Sequence, residues 1–175
     1  MRISKRVPIS VFAAAVAALS TALVFGALSA LGHDHGEHGK GHGGPLIRES
    51  LAPSVPTDPA FHGVTPGGAP WVLKDGSVQL SGHRLDLRVR GLVIPVAPGN
   101  GTPGPVTTIS ASLYCGADSS TMAADTTGQV PISRNGDARI RDDSFAVPST
   151  CLSPVILVNP NGIAALYIAL DGWRM

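Results

Sequence analysis

Four of the six histidines of the chain lie within ten residues, at His33, His35, His38 and His42. Neutral imidazoles are common protein ligands of Cu(II), Ni(II) and Zn(II), and a flexible segment lets several of them reach one ion. Glycine and charged residues separate the histidines, and the absence of a periodic apolar pattern predicts no regular secondary structure here. These histidines are therefore candidate metal ligands; the alternative is a hydrophilic spacer whose histidines bind nothing.

The residues that precede this segment have the pattern of an export signal. Arg2, Lys5 and Arg6 come before an uncharged stretch that is rich in Ala, Val and Leu and ends in small residues. We therefore expect residues 1–32 to be a signal peptide and the mature protein to be secreted or held at the cell surface. An uncleaved membrane anchor is the alternative, because about 20 apolar residues can span a bilayer.

The cleavage position decides whether the histidines can form a specific metal site. Cleavage after Ala30 or after Gly32 leaves a histidine third from a free amine. The amine, two backbone amides and that imidazole then supply a square-planar set of nitrogens, which suits Cu(II) or Ni(II). Cleavage after Ser29 places the histidine fourth and removes this arrangement.

The net charge of the mature chain argues against a nucleic-acid partner. Removal of the three leader cations leaves 10 basic and 12 acidic residues, so the mature chain is slightly acidic. Nucleic-acid-binding proteins are typically basic, and we therefore expect no nucleic-acid partner.

The chain has two cysteines, Cys115 and Cys151. Export to an oxidising compartment predicts a disulfide between them, and they lack the C-x-x-C spacing of a redox or metal-binding pair. Closing this loop is expected to stabilise the fold by about 3–4 kcal/mol. The bond would tie two sheets together, or a strand to a neighbouring loop.

Composition divides the remaining chain into a linker and a domain. Gly and Pro make up 13 of the 36 residues from 33 to 68, and prolines recur too closely for a helix between them. We interpret residues 33–68 as a disordered linker and residues 69–175 as the folded domain.

The pattern of residues in the domain predicts short strands separated by turns. Leu85, Leu87 and Val89 alternate with charged residues, as in a strand with one wet face, and Gly91 then shifts the apolar phase. A strand is also expected to begin near Trp71, followed by a turn over residues 74–76.

Two further signals support the same fold class. Asn135 and Gly136 between short strands predict a hairpin, and the apolar run at residues 155–158 predicts a central strand covered on both faces, with a turn over residues 159–162. About eight short strands without an amphipathic helix indicate an all-β fold, an antiparallel β-sandwich with one disulfide. A small β-barrel is the alternative.

The best candidate surface feature is the row of Arg84, Arg88 and Arg90 on the wet face of one strand, interrupted by Asp86. Asp86 is expected to pair with a neighbouring arginine, across or along the strand. An anion or an acidic glycan could dock on such a face; the alternative is an ordinary solvated face that also resists edge pairing.

Signals of catalysis are weak in this sequence. The domain has no glutamate after Glu49, and no G-x-S-x-G, H-E-x-x-H or phosphate-binding glycine loop is present. His83 is expected to be exposed beside a turn, and His62 is expected to lie in the linker. Asp142 and Asp143 are interpreted as part of a solvated turn; the alternative is that they bind Ca²⁺. We therefore expect no enzyme and assign no catalytic residue.

Several stretches resemble uncharacterised secreted proteins of high-GC Gram-positive bacteria. These are VRGLVIP at residues 89–95, GTPGPV at 101–106, ASLYC at 111–115, CLSPV at 151–155 and NPNG at 159–162. The preference for arginine over lysine, ten to three, fits a high-GC source. The resemblance implies no activity, cofactor or site residue.

Together these observations lead to two functional hypotheses. The first is an exported, non-catalytic β-sandwich that serves as a binding or structural module, with no cofactor and a partner that the sequence does not identify. The alternative is a secreted protein that captures Cu(II), Ni(II) or Zn(II) through its histidine-rich mature N-terminus. Membrane anchoring is expected only if the leader stays uncleaved.

Overall fold

The computed structural model describes residues 46–116 and 122–172, and these residues form strands, turns and loops without a helix. Within these ranges there is accordingly no helix of the length and hydrophobicity needed to cross a bilayer. The strands, in chain order, are β1 (Ile47–Pro53), β2 (Thr65–Pro66), β3 (Asp75–Ser81), β4 (Arg84–Arg90), β5 (Thr108–Tyr114), β6 (Asp125–Thr126), β7 (Val130–Pro131), β8 (Ala138–Asp142), β9 (Val155–Pro160), β10 (Leu166–Tyr167) and β11 (Ala169–Asp171).

Nine of these strands form one sheet in the order β6–β5–β9–β11–β1–β3–β4–β8, with β7 also paired to β5. Every pairing within this sheet is antiparallel. The short strands β2 and β10 form a separate parallel pair. The predicted all-β, antiparallel fold with one disulfide is confirmed, with eleven strands where the sequence suggested about eight.

Strand β1 connects the two layers of the fold. Its residues 47–50 pair with β3, whereas residues 51–53 pair with β11. The first layer is therefore residues 47–50 with β3, β4 and β8, and the second layer is residues 51–53 with β11, β9, β5, β6 and β7. Buried side chains from both layers, including Leu87 of β4 and Leu113 of β5, belong to one apolar core. A strand that passes from one layer to the other is a common way to make the corner of a sandwich.

The alternation in β4 fixes which face of the first layer is buried. Leu85 and Leu87 are fully buried and Val89 is 1% exposed, while the charged residues between them lie on the outer face. Gly91 then adopts a φ of +63°, a conformation that glycine adopts without strain. Beyond it Leu92 and Ile94 are buried, so the apolar phase shifts at this glycine as predicted.

The domain begins earlier than the predicted boundary at residue 69. Residues 47–53, which the sequence assigned to the linker 33–68, form the strand that joins the layers, and Ile47 and Leu51 belong to the core. Further along, Val64 and His62 are buried. Val64 packs in a second apolar cluster with residues of β9, β10 and β11. The linker prediction is therefore wrong for residues 46–68, where apolar side chains between the prolines cover the second layer.

Strand β9 lies between β5 and β11 and is buried on both faces, which confirms the prediction of a central strand. The turn that follows is shorter than predicted, because residues 159 and 160 still belong to β9 and only Asn161 and Gly162 have positive φ. The segment around Trp71 makes a single bridge between Val72 and Val93, and β3 starts at Asp75, where a turn was expected.

The predicted turn at Asn135 and Gly136 is present, but it does not join a paired hairpin. Gly136 has a φ of +77°, and the backbone N–H of Ser133 donates to the carbonyl of Asp137 at 2.9 Å. The flanking strands pair elsewhere, β7 with β5 and β8 with β4. This turn therefore carries the chain from the second layer to the first.

Candidate anion-binding surface

The basic side chains of the described residues are confined to one part of the molecule. No lysine or arginine occurs in the second layer or in residues 51–73, 92–116, 122–133 and 142–172. All eight described cations lie in the first layer or in the turns that adjoin it: Arg48, Lys74, Arg84, Arg88, Arg90, Arg134, Arg139 and Arg141. We call the outer surface of the first layer the arginine face.

Strand register aligns these side chains in rows that run across the strands. In the first row, Arg48 lies opposite Gln79, Gln79 opposite Asp86, and Asp86 opposite Arg141. Opposite residues in an antiparallel pair have Cβ atoms about 5 Å apart, so neighbouring side chains of a row can contact each other.

The adjacent row contains two serines and two arginines. Ser50 lies opposite Ser77, Ser77 opposite Arg88, and Arg88 opposite Arg139. Two arginines thus lie opposite each other on neighbouring strands, an arrangement that disfavours the folded state by charge repulsion. We call this the Ser–Arg row.

Asp86 partly compensates this charge from the neighbouring row. The guanidinium of Arg139 donates from Nε to Asp86 Oδ1 at 3.0 Å and from Nη2 to Oδ2, and Nε of Arg141 lies 3.5 Å from the same carboxylate. The hydrogen bond from Arg139 is the main reason that the pKa of Asp86 falls below its ordinary value. Asp86 therefore stays ionised and forms ion pairs with two arginines of this face, Arg139 and Arg141.

Three other arginines of the face lack a carboxylate partner among the described residues. Arg48, Arg88 and Arg90 form no ion pair with any carboxylate of the described residues. Arg84 pairs with Asp143 at 2.7 Å, but both side chains are about three-quarters exposed, so this pair contributes little to stability.

The arginine face contains two open grooves. The larger, of about 810 Å³, is lined by Lys74, Asp75, Arg88, Arg90 and Arg139 among others. The second, of about 620 Å³, is lined by Arg48, Ser50, Ser77 and Gln79 and shares Asp75, Arg88 and Arg139 with the first. The shared residues make the two grooves one continuous surface, shallow enough to admit an extended molecule.

The predicted metal ligands His33, His35, His38 and His42 lie outside the described residues. Within residues 46–116 and 122–172, no three His, Cys, Asp or Glu side chains are grouped so that they could hold a metal ion. Asp142 instead accepts hydrogen bonds from the backbone and hydroxyl of Ser144, and Asp143 pairs with Arg84.

The predicted disulfide is present. Cys115 and Cys151 are bonded, with their Cα atoms 4.9 Å apart and a sequence separation of 36. Cys115 directly follows β5, and Cys151 lies in the loop before β9, the neighbouring strand of the second layer. The bond thus ties a strand to a neighbouring loop rather than one layer to the other.

The two histidines of the described residues differ from each other. His83 is exposed, as predicted, and its Nδ1 lies 3.2 Å from the carbonyl oxygen of Phe145. His62, expected in a linker, is 2% exposed and stacks on Tyr114 with ring centroids 5.0 Å apart. Its stacking partner Tyr114 is distant in sequence, so no local sequence pattern predicts that His62 is buried.

One buried carboxyl group was not singled out from the sequence. Asp171, at the end of β11, is 8% exposed and accepts a hydrogen bond from the backbone N–H of Ile156 at 2.8 Å. Burial is the main reason that its pKa rises to about 6, and the charge of Glu49 adds to the effect. This group lies opposite Leu51, where β1 passes between the layers, and its ionisation affects the stability of the fold.

Comparison with protein-family models, with curated proteins and with solved structures finds no match to this chain.

Proposed function

We propose that the protein is an exported, non-catalytic binding module that holds an anionic ligand on its arginine face. The observation that carries this proposal is the confinement of every described cation to the first layer and its turns. Within that face, Arg88 and Arg139 lie opposite each other, and Arg88 has no carboxylate partner among the described residues. An anion bound between them would relieve their repulsion.

The chemistry of arginine supports an oxyanion as the ligand. Its planar guanidinium donates two parallel hydrogen bonds to a carboxylate, sulfate or phosphate, and it remains charged at any physiological pH. The side chains stand on a paired sheet, so binding does not require ordering of a loop. Preorganised donors lose less entropy on binding than flexible ones.

The groups on this face suit binding better than catalysis. Asp86 is held ionised by Arg139 and Arg141, which makes it a poor general acid. The serines of the Ser–Arg row, Ser50 and Ser77, lie opposite each other without a histidine in the row. Export is supported by the leader-like residues 1–32 and by the disulfide, which is compatible with an extracellular location.

Binding of the mature chain to immobilised poly-L-glutamate, a carboxylate polymer without sugars, tests the proposal. Arg88→Gln is expected to weaken binding about tenfold, the loss of one charge-assisted contact. Lys40→Gln is the matched control, because it removes the same charge from the histidine-rich segment that precedes β1, and it should change affinity less than about twofold. Equal losses in the two variants, or no retention of the unaltered chain, would contradict the proposal.

The histidine-rich segment supports a second candidate function, capture of Cu(II), Ni(II) or Zn(II). The supporting observation is that cleavage after Ala30 or Gly32 leaves a histidine at the third position of the mature chain. Sequencing of the mature N-terminus together with a Cu(II) titration tests it. Tight binding of one equivalent, lost when residues 31–42 are deleted, is expected; a mature chain that binds no Cu(II) excludes it.

A further inference from the structure

We infer that the ligand of the arginine face is a linear acidic polysaccharide that lies across the strands along the Ser–Arg row, and that Asp86 competes with it for Arg139. This inference rests on the proposed function. It adds the chemical class of the ligand, its orientation and a residue that limits its affinity.

The Ser–Arg row has the dimensions and the order of groups that such a ligand needs. Its four positions, Ser50, Ser77, Arg88 and Arg139, come from four consecutive strands. With strands about 4.8 Å apart, the row is about 14 Å long, enough to contact several sugar units. Two hydroxyl groups at one end suit neutral sugar hydroxyls, and two guanidinium groups at the other end suit a carboxylate.

Residues beside the row extend this match. Gln79 lines one groove and Asn135 the other, and both side chains can donate to and accept from sugar hydroxyls. Arg48 and Arg90 place further cations beside the row at its two sides. A polymer with a charge on every sugar could use these cations in turn along its length.

The composition of the face disfavours nucleic acids and anionic membranes as ligands. Neither groove is lined by an aromatic side chain among the described residues, so stacking with nucleic-acid bases is absent there. The apolar side chains that line them are Val78 and Val89, which are buried, and Ala138, which is half-buried and has a single methyl group, so the face offers no large apolar side chain to insert into a bilayer.

Charge density supports the same choice. Asp75, Asp86 and Asp137 are interspersed among the arginines and would repel a densely charged polymer. Duplex DNA carries about one charge per 1.7 Å of axis, whereas a uronic-acid polymer carries at most one carboxylate per sugar. A sparsely charged polymer can place its carboxylates at the cations and its hydroxyls at the intervening aspartates.

Asp86 has the geometry of an internal competitor. Its carboxylate already makes the two-bond contact with Arg139 that a ligand carboxylate would make, and it also lies near Arg141. The pair is accessible, since the side chain of Arg139 is 47% exposed and that of Asp86 is 37% exposed. A ligand can therefore displace Asp86, but it binds more weakly for having to do so.

The test is the affinity of oligogalacturonate for the mature chain and its variants, measured by titration calorimetry. Asp86→Asn removes the competing charge and is expected to strengthen binding about fivefold, the value of an exposed ion pair. Asp143→Asn is the matched control: it removes the same charge from the pair with Arg84 and should change affinity less than about twofold. Arg88→Gln should weaken binding, as is expected for poly-L-glutamate.

The outcomes separate this inference from the proposed function. If poly-L-glutamate binds in an Arg88-dependent way but oligogalacturonate does not bind, the polysaccharide class is wrong and the proposed function stands. Tighter binding of single-stranded DNA or of anionic lipid vesicles than of oligogalacturonate also overturns it. If Asp86→Asn weakens binding while its circular dichroism spectrum matches that of the unaltered chain, the competitor role is wrong; Asp86→Ala serves as a second variant for this reading.

Discussion

Replacement of Asp171 by asparagine is expected to stabilise the protein at neutral pH. The carboxylate of Asp171 is buried in the second layer and accepts a hydrogen bond from the backbone N–H of Ile156. An asparagine side-chain oxygen can accept the same bond, so the substitution removes the buried charge and keeps the contact. The neighbouring carboxylate of Glu49, which opposes ionisation of Asp171, then faces a neutral group.

The magnitude follows from the raised pKa. The pKa of Asp171 is about 6 in the folded protein, against an ordinary value of 3.8. Between these two pH values the folded state holds a proton that the unfolded state has lost, so the free energy of unfolding decreases as pH rises through this range. At pH 7 and above the full difference applies, which is about 3 kcal/mol.

Urea unfolding of the unaltered chain and of Asp171→Asn, at about pH 4 and about pH 7.5, measures this effect. The difference between the two proteins isolates Asp171 from the other titrating groups. The variant should gain about 2–3 kcal/mol relative to the unaltered chain between the lower and the higher pH. Asp143→Asn, at an exposed position, should show a difference within about 0.5 kcal/mol at both pH values.

A variant that is destabilised by the same amount at both pH values would refute the reasoning. It would mean that the ionised carboxylate of Asp171 is as well stabilised by its hydrogen bonds in the folded protein as it is by water in the unfolded chain.

Two further substitutions test the fold, both by urea unfolding. Cys115→Ser combined with Cys151→Ser opens a loop with a sequence separation of 36 and should reduce the free energy of unfolding by about 3–4 kcal/mol; a loss below about 1 kcal/mol would contradict the assigned role of the bond. Gly136→Ala forces a φ of +77° on alanine and drives its Cβ into the backbone of Leu92, so a loss greater than about 1 kcal/mol is expected. Gly82→Ala, which has positive φ but nothing within 4 Å of a Cβ, should lose less, and equal losses would show that the contact with Leu92 has no effect.

The local pattern of apolar residues was sufficient to predict strands that pack against a single core or are covered on both faces. The alternation of Leu85, Leu87 and Val89 identified β4 and its buried face, because each apolar residue faces the same core. The continuous apolar run of β9 identified a strand covered on both sides. In both cases the burial of a residue depends only on its position within its own strand.

Strand β1 was missed because it serves both layers. Ile47 and Leu51 face the core, whereas Ala52 belongs to the second cluster, so the strand shows no simple alternation. The prolines that follow it, such as Pro53 and Pro56, suggested a linker. In the folded protein the segment after β1 instead covers the outer face of the second layer, which depends on contacts distant in sequence.

The candidate site was predictable in part. The sequence placed Arg84, Arg88 and Arg90 on one wet face and expected Asp86 to pair with a neighbouring arginine. That the partner is Arg139 follows from the pairing of β4 with β8, two strands that are separated by about fifty residues. Strand order in a sheet is set by the whole fold, so the Ser–Arg row becomes visible only when the register of four strands is known.

The most direct test of the central claim is to map the binding surface by nuclear magnetic resonance. Oligogalacturonate is added to isotope-labelled mature protein, and the backbone amide shifts are followed residue by residue. Binding on the arginine face predicts that the shifts concentrate in residues 47–50, β3, β4 and β8. Shifts concentrated in β5, β9 and β11, or a spectrum that does not change at saturating ligand, would contradict it.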